Sequence, residues 1–466
     1  MSLVICLGAL AFLMFVAYRG FSVILFAPFA ALLAVLATSP AAVPTLFTAL
    51  FMEKMVGFLK LYFPVFLLGA VFGKLVELAG LSSALVGGVI GLLGRARAML
   101  AIVVVGALLT YGGVSLFVVV FAVYPFAVEL FRRNDIPKRL IPATIALGAF
   151  TFTMDALPGT PQIQNIIPTT FFKTDAWAAP RLGLVGSAFI LVVGMTLLEW
   201  RRRRAAASGE GYGTHHAQEP LPPPSDARLP HPLLALLPLV LVGVSNSVFT
   251  RLVPRVYGAT STVALTDAAQ GHPVVQPIAP VAAIWAVEGA LLVGIVAVIA
   301  IGFPVIRRTF VEGTRAAVAG ALLASMNTAS EYGFGAVIAA LPGFLVIARG
   351  LDAVPNPLVH EALTVTTLAG VTGSASGGMS IALAAMADSF VAAASAAHVP
   401  VAVLHRVAAM ASGGMDTLPH NGAVITLLAV TGLTHRQAYA DVFALTLVKT
   451  AAVGVVIAVY YATGIV

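Results

Sequence analysis

Two short stretches of the chain place acids where acids are costly. Met154-Asp155-Ala156-Leu157-Pro158-Gly159 and Met415-Asp416-Thr417-Leu418-Pro419-His420-Asn421-Gly422 each set a carboxylate, a proline and a glycine into otherwise apolar sequence. A carboxylate near the centre of a bilayer costs about 2.5–3.5 kcal/mol on insertion scales, so it is usually paired, buried or in use. Two chemistries suit Asp155 and Asp416: exchanging a proton beside a polar ligand, or capping the half-helix that follows by accepting its freed amides. Gln162, His420 and Asn421 lie close behind the two acids and add hydrogen-bonding groups, the histidine also a proton relay. A third acid, Glu331, sits in SMNTASEYGFG (325–335) beside Asn327, Thr328 and Ser330. A proton-coupling carboxylate needs partial burial. Glu331 meets that condition if its segment lies in the membrane, and is otherwise an interfacial loop residue.

These groups need a backbone that opens at membrane depth. Lipid offers a freed amide no hydrogen bond, so a broken helix survives there only inside protein or beside a watery cavity. A matched pair of breaks is the pattern of secondary transporters, whose discontinuous helices hold substrate near the midplane. Ahead of each break lies a glycine-rich bend, LLTYGGVS (108–115) and GVTGSASGGMS (370–380). Glycine permits positive φ and close backbone approach, so each bend predicts a re-entrant hairpin, with Gly112, Gly113 and Ser115 at one tip and Ser374, Ser376, Gly377 and Gly378 at the other. Gly377 and Gly378 also suit plain helix packing, and the serines can satisfy their own backbone. Amides freed at tips and breaks together favour an anion.

Composition sets the solvent. Hydrophobic residues make up 60% of the 466 positions and charged residues 10%, with a mean hydropathy of +1.00, against roughly 25% charged in soluble domains. The apolar runs predict an all-α polytopic membrane protein of about ten to twelve spanning helices plus re-entrant pieces. No basic residue precedes the first run and no cleavage site follows it, so it is expected to persist as a helix. The net charge of +7 comes from basic residues at helix ends, such as Arg132, Arg133 and Arg201 to Arg204; positive-inside bias accounts for them without nucleic acid. Cys6 is the single cysteine, which excludes internal disulfides and cysteine-rich metal sites. No Walker loop, HExxH or GxSxG occurs, so the sequence suggests no enzyme activity and implies no cofactor or metal.

The segment 201–231, rich in Gly, Ser, Pro and charge, reads as a cytoplasmic linker between a first membrane repeat (1–200) and a second (232–466). Across it Gly73 falls opposite Gly335, Gly113 opposite Gly378 and Asp155 opposite Asp416, at separations of 262, 265 and 261 positions. The turn before Asp155 reads RRNDIPKR (132–139), whereas its counterpart SAAHVPVAVLHR (395–406) is nearly bare. By the positive-inside rule the two repeats are inverted.

On these residues the chain resembles the gluconate permease family of proton symporters, within the ion transporter superfamily. GAVFGKLVELAGLSSALVGGVIGLLGRARA (69–98), YGGVSLFVVVFAVYPFA (111–127) and GVTGSASGGMSIALAAMA (370–387) are similar to its first-half block and its two hairpin regions. The resemblance covers most of both halves. It implies proton-coupled uptake of organic acids at the bacterial inner membrane by a homodimer with elevator-like motion. The breaks depart from the family pattern: LPGTPQ (157–162) stands where those carriers resemble PPHPGP, and MDTLPHNG (415–422) where they carry HVNDPG. The altered polar groups bear on gluconate itself, and the family branches that this chain resembles imply a shorter hydroxy acid such as 3-hydroxybutyrate as well as gluconate. A passive organic-anion channel and a sodium-coupled carboxylate carrier are the alternatives.

Overall fold

The computed structural model describes residues 2–19, 21–114, 116–213, 219, 229–263, 273–344, 346, 354–372, 374–419 and 421–466. Its helices are, in the first half, α1 (Ser2–Tyr18), α2 (Val23–Thr38), α3 (Val43–Leu46), α4 (Glu53–Leu78), α5 (Leu81–Leu93), α6 (Ala98–Tyr111), α7 (Leu116–Arg133), α8 (Leu140–Ala149), α9 (Phe152–Asp155), α10 (Ile163–Phe172) and α11 (Pro180–Ala207). The second half holds α12 (Pro232–Tyr257), α13 (Ala282–Ala340), α14 (Pro357–Thr372), α15 (Ala375–Ala396), α16 (Val401–Gly413), α17 (Gly422–Thr431) and α18 (His435–Thr463).

Long apolar helices carry their hydrophobic residues outward as well as inward. Leu25, Leu184, Val192, Leu233, Val296 and Leu447 are exposed, while Asp155, Glu331, Glu361, Arg406, Asp416 and Lys449 are buried. This distribution suits lipid outside and a polar centre inside. Among the described residues six helices are long and apolar enough to cross a bilayer. A seventh span results if Leu81–Leu93 and Arg95–Tyr111, bent by 115°, count as one, and four shorter apolar helices complete the set. Several apolar runs fold as half-helices of ten residues, as α8, α10 and α17 do.

One element joins apolar runs that the sequence separates. The 59-residue α13 extends without interruption through Pro304 and the exposed Arg307, Arg308, Glu312 and Arg315. At 1.5 Å per residue its path is about 88 Å, far beyond one bilayer crossing. Its glycines record the course: Gly294 and Gly302 back onto Phe72 and Ala79, Gly313 and Gly333 onto Leu78 and Phe51. The order of contacts along α4 and the turn before it therefore reverses in the charged middle stretch, leaving one apolar arm on either side.

A second departure from all-helical structure lies outside the helices. Thr260–Val263 and Val274–Pro277 pair antiparallel as a two-stranded ribbon between α12 and α13, with Thr260 opposite Pro277 and Val263 opposite Val274. Its β-branched residues favour a pleated surface over a helix.

Arg201 to Ala207, with which the expected linker starts, continue α11. Beyond it the chain docks onto the basic turn at 132–139. Glu219 pairs with Arg132 and Lys138, Arg139 with Glu210 and Asp441, and the Tyr212 amide donates to Asp135 Oδ1 (2.8 Å). These bonds to Arg139 hold the Glu210 carboxyl below the usual range, against a smaller opposing effect of burial.

Candidate functional site

Both helix breaks fall where the two acids stand. In the first half α8 ends at Ala149, the four-residue α9 ends at Asp155, and an open stretch at 156–162 leads into α10. In the second, α16 ends at Gly413, a 3₁₀ turn (Gly414–Thr417) carries Asp416, and α17 starts at Gly422. Both bends also join helix pairs as expected: α6 meets α7 through Gly112 and Gly113, the latter at φ +94°, and α14 meets α15 before Ser374. Ser115 and His420 lie outside the described residues.

The second hairpin tip gathers acids. Ser374 caps α15 by accepting from the Gly377 amide (3.1 Å), and the Ala375 amide donates to Asp416 Oδ1 (3.2 Å). The Asp416 carboxylate thus occupies the positive end of α15, where freed amides and the helix dipole favour an anion. Asn421 Nδ2 donates to the same oxygen (3.3 Å), and Gln164 Nε2 of the first half donates to Oδ2 (2.9 Å). Asn421 also caps α17 through the Ala423 amide (2.7 Å). Glu331 reaches this helix end from α13. Its carboxyl lies against Gly377 and Ser374, and its Oε2 has no hydrogen-bond partner among the described residues. Any side chain at Gly377 would overlap it, so the glycine is what admits the acid. Ser376 Oγ lies 3.5 Å from Thr328 Oγ1 of α13. Of the two settings open to Glu331, the buried helix is the one found.

The first tip is closed instead. Gln162 Nε2 donates to the carbonyls of Thr110 (2.7 Å) and Val114 (3.3 Å), tying the bend to the broken helix behind it. Gly112 packs under Leu239, and Gly113 against Leu291, Pro161 and Phe72. Gly112, Gly113 and Gln162 therefore do not join the acids around α15.

Asp155 turns toward the other half. Its Oδ2 lies 3.3 Å from Lys449 Nζ, and both groups are fully buried. Lys449 also donates to the carbonyls of Phe150 (2.8 Å) and Gly413. Arg406, equally buried, donates to the carbonyls of Asp155 (2.9 Å) and Ala178 (2.7 Å) and to Asn165 Oδ1 (3.1 Å). Asn165 spends its amide hydrogens on the carbonyls of Thr160 and Ala176, which fixes Oδ1 as acceptor. His405 Nε2 lies 3.3 Å from that oxygen and Nδ1 lies 2.6 Å from Thr174 Oγ1; a neutral ring protonated at Nε2 satisfies both contacts. His405 and Arg406 thus belong to the interior of α16, not to the turn in which the sequence places them.

Lys449, Arg406, Gln164 and Asn165 escaped the sequence reading, as did Glu361, a buried acid of α14 whose two oxygens lack hydrogen-bond partners among the described residues. For Lys449 and Glu361 a signal existed, since an ionisable residue inside an apolar run marks function by default. Lys74 and Glu77 of α4 form an ion pair at 2.8 Å. Among the described residues no group of three metal-ligating side chains occurs.

Beside this centre a cavity of about 270 Å³ opens between α4, α10, α13 and α15, lined by Lys54, Tyr62, Thr170, Tyr332 and Ser380 among others. Tyr62 Oη donates to Thr170 Oγ1 (2.9 Å), while Ser380 Oγ has no partner among the described residues. The volume lies just below the roughly 300–1,000 Å³ of ordinary ligand pockets, which favours a small solute.

Buried charged side chains at paired helix breaks, in a chain with an apolar exterior, suit a membrane transporter, and a relative agrees. The chain is 57% identical, over a 477-residue alignment covering all of both chains, to the uncharacterized transporter YxjC of Bacillus subtilis (strain 168). It belongs to that transporter family. No protein-family model matches the chain. Among solved structures, the YdaH transporter of Alcanivorax borkumensis, noted for an unusual topology, overlays with a TM-score of 0.48 at 16% identity, covering 92% of this chain and 90% of that one. The transporter is thus a multi-span membrane protein that moves a small molecule. The family establishes transport and does not single out the gluconate permeases.

Proposed function

We propose that the protein is a proton-coupled symporter importing a small hydroxycarboxylate, 3-hydroxybutyrate or gluconate, across the bacterial inner membrane, as a homodimer with elevator-like exchange between inverted repeats. The observation that carries this reading is the convergence of Asp416 and Glu331 on the N-terminus of α15. That helix end binds one anion well, and two acids already compete for it. A substrate carboxylate reaches the Ala375 amide only when Asp416 gives up its place, and a proton on Asp416 or Glu331 removes the opposing charge. Loading one proton with one carboxylate also lowers the desolvation cost of moving the site through the membrane. Substrate enters from the cavity at Glu53, Lys54, Tyr62 and Ser380, whose hydroxyls suit a hydroxy acid and whose lysine, next to an acid, leaves the lining without net charge.

The test is uptake of labelled 3-hydroxybutyrate and gluconate into proteoliposomes. Under an inward proton gradient the substrate accumulates above its outside concentration, and a protonophore abolishes the accumulation. Equilibration without accumulation identifies a passive channel, and accumulation that follows a sodium gradient at constant pH identifies sodium coupling; either result ends the proposal.

A further inference from the structure

We infer that Lys449 is a tethered cation filling a site built for a free monovalent one. Its ammonium has three N–H donors and faces three oxygens: the Phe150 carbonyl at 2.8 Å, the Gly413 carbonyl, and Asp155 Oδ2 at 3.3 Å. The two carbonyls share an origin. Phe150 is the C-cap of α8 and Gly413 the last residue of α16, so each comes from a helix end at a break, one from each half. Carbonyls there lack intrahelical partners, and the negative end of the helix dipole attracts a cation. Half-helix C-termini and unwound carbonyls are the groups with which secondary transporters coordinate coupling ions.

The carboxylate is reserved for this cation. Neither oxygen of Asp155 has a hydrogen-bond partner among the described residues, unlike Asp416 with its three donors. Gly413 is part of the same construction, because a side chain there would overlap the Asp155 carboxylate. Two carbonyls and one carboxylate, buried and drawn from both halves, supply three oxygens to a small monovalent cation, and water would fill the rest of its shell in the space the lysine stem now takes. The lysine supplies the charge from α18, so the centre closes without an ion from solution.

The inference deepens the proposed function and rests on its reading of the two breaks as the transport centre, but its test reads binding, not uptake. Purified wild-type protein should show the same Tm in sodium, lithium and choline chloride at equal ionic strength. Lys449→Ala opens the site: its Tm should fall in choline and rise by about 2–4 °C in saturating sodium or lithium, as expected for a ligand that binds the folded state. Adding Asp155→Asn should remove that rise. Lys449→Ser, which leaves room for the ion and adds an oxygen, is the second variant if Lys449→Ala aggregates in choline. No selective rise in either variant, an equal rise in wild type, a rise that survives Asp155→Asn, or aggregation of both variants even in sodium overturns the inference. Loss of proton-driven uptake in the wild type would sink the proposed function and leave this result standing.

Discussion

The two helix breaks look alike in sequence and do different things. At the first, Asp155 meets a cation and spends no oxygen on hydrogen bonds; at the second, Asp416 meets three neutral donors and, among the described residues, no cation within ion-pair distance. The hairpin tips differ in the same sense. The first is shut by Gln162 and covered by Leu239 and Leu291, whereas the second faces Glu331 and Asp416. A repeated architecture has thus been divided between a half that closes the structure and a half that keeps titratable groups at a helix end.

The largest effect should come from the hairpin tips. A side chain at Gly378 runs into the backbone of Ala369 and Leu368, which cannot move aside, while one at Gly112 meets the Leu239 side chain, which can repack. Gly378→Leu should abolish both the folded yield in detergent and uptake, and Gly112→Ala should cost about 1–3 kcal/mol. Equal tolerance in size-exclusion profiles would mean that the tips are not differently packed.

Next come the aspartates. Asp155→Asn leaves a buried ammonium with carbonyls alone and should cost about 3 kcal/mol, the lower end for breaking a buried pair. Asp416→Asn offers one acceptor where three donors converge, stranding a donor at about 1–3 kcal/mol. Thermal melts in choline should therefore rank Asp155→Asn as the less stable. The reverse order would mean that the two acids have exchanged roles.

Glu331→Gln keeps shape while removing charge and titration. Tm should change little, since no cation is stranded, and substrate exchange down its gradient should persist while proton-driven accumulation falls at least tenfold. Accumulation at the wild-type level would move coupling to Asp416 or Glu361.

The smallest effect belongs to the linker. Glu210 is held ionised by Arg139, so its contribution to docking is complete above the ordinary carboxylate pKa near 4.3 and fades as pH falls through its lowered folded value. Limited proteolysis of the linker should therefore speed up slightly below pH 4 in the wild type. Glu210→Gln should show that faster rate at neutral pH as well.

What the sequence showed was where the chain breaks. Asp155, Asp416 and the bends at Gly112 and Ser374 are visible because proline, glycine and charge interrupt apolar runs, and an interruption is a local property. What it hid was who meets whom. Arg406 reads as the end of a turn and Lys449 as one residue in a long apolar helix, because neither periodicity nor propensity says which helix a buried cation faces. The continuity of α13 was hidden for a related reason: Pro304 and the charges after it are ordinary stop signals, overridden by packing of both arms along α4.

The partner of Asp155 lies on α18, which leaves the ribosome after every other described helix. Until then the buried Asp155 has no lysine to meet it. A product lacking α18 would therefore leave the acid at the first break without its cation.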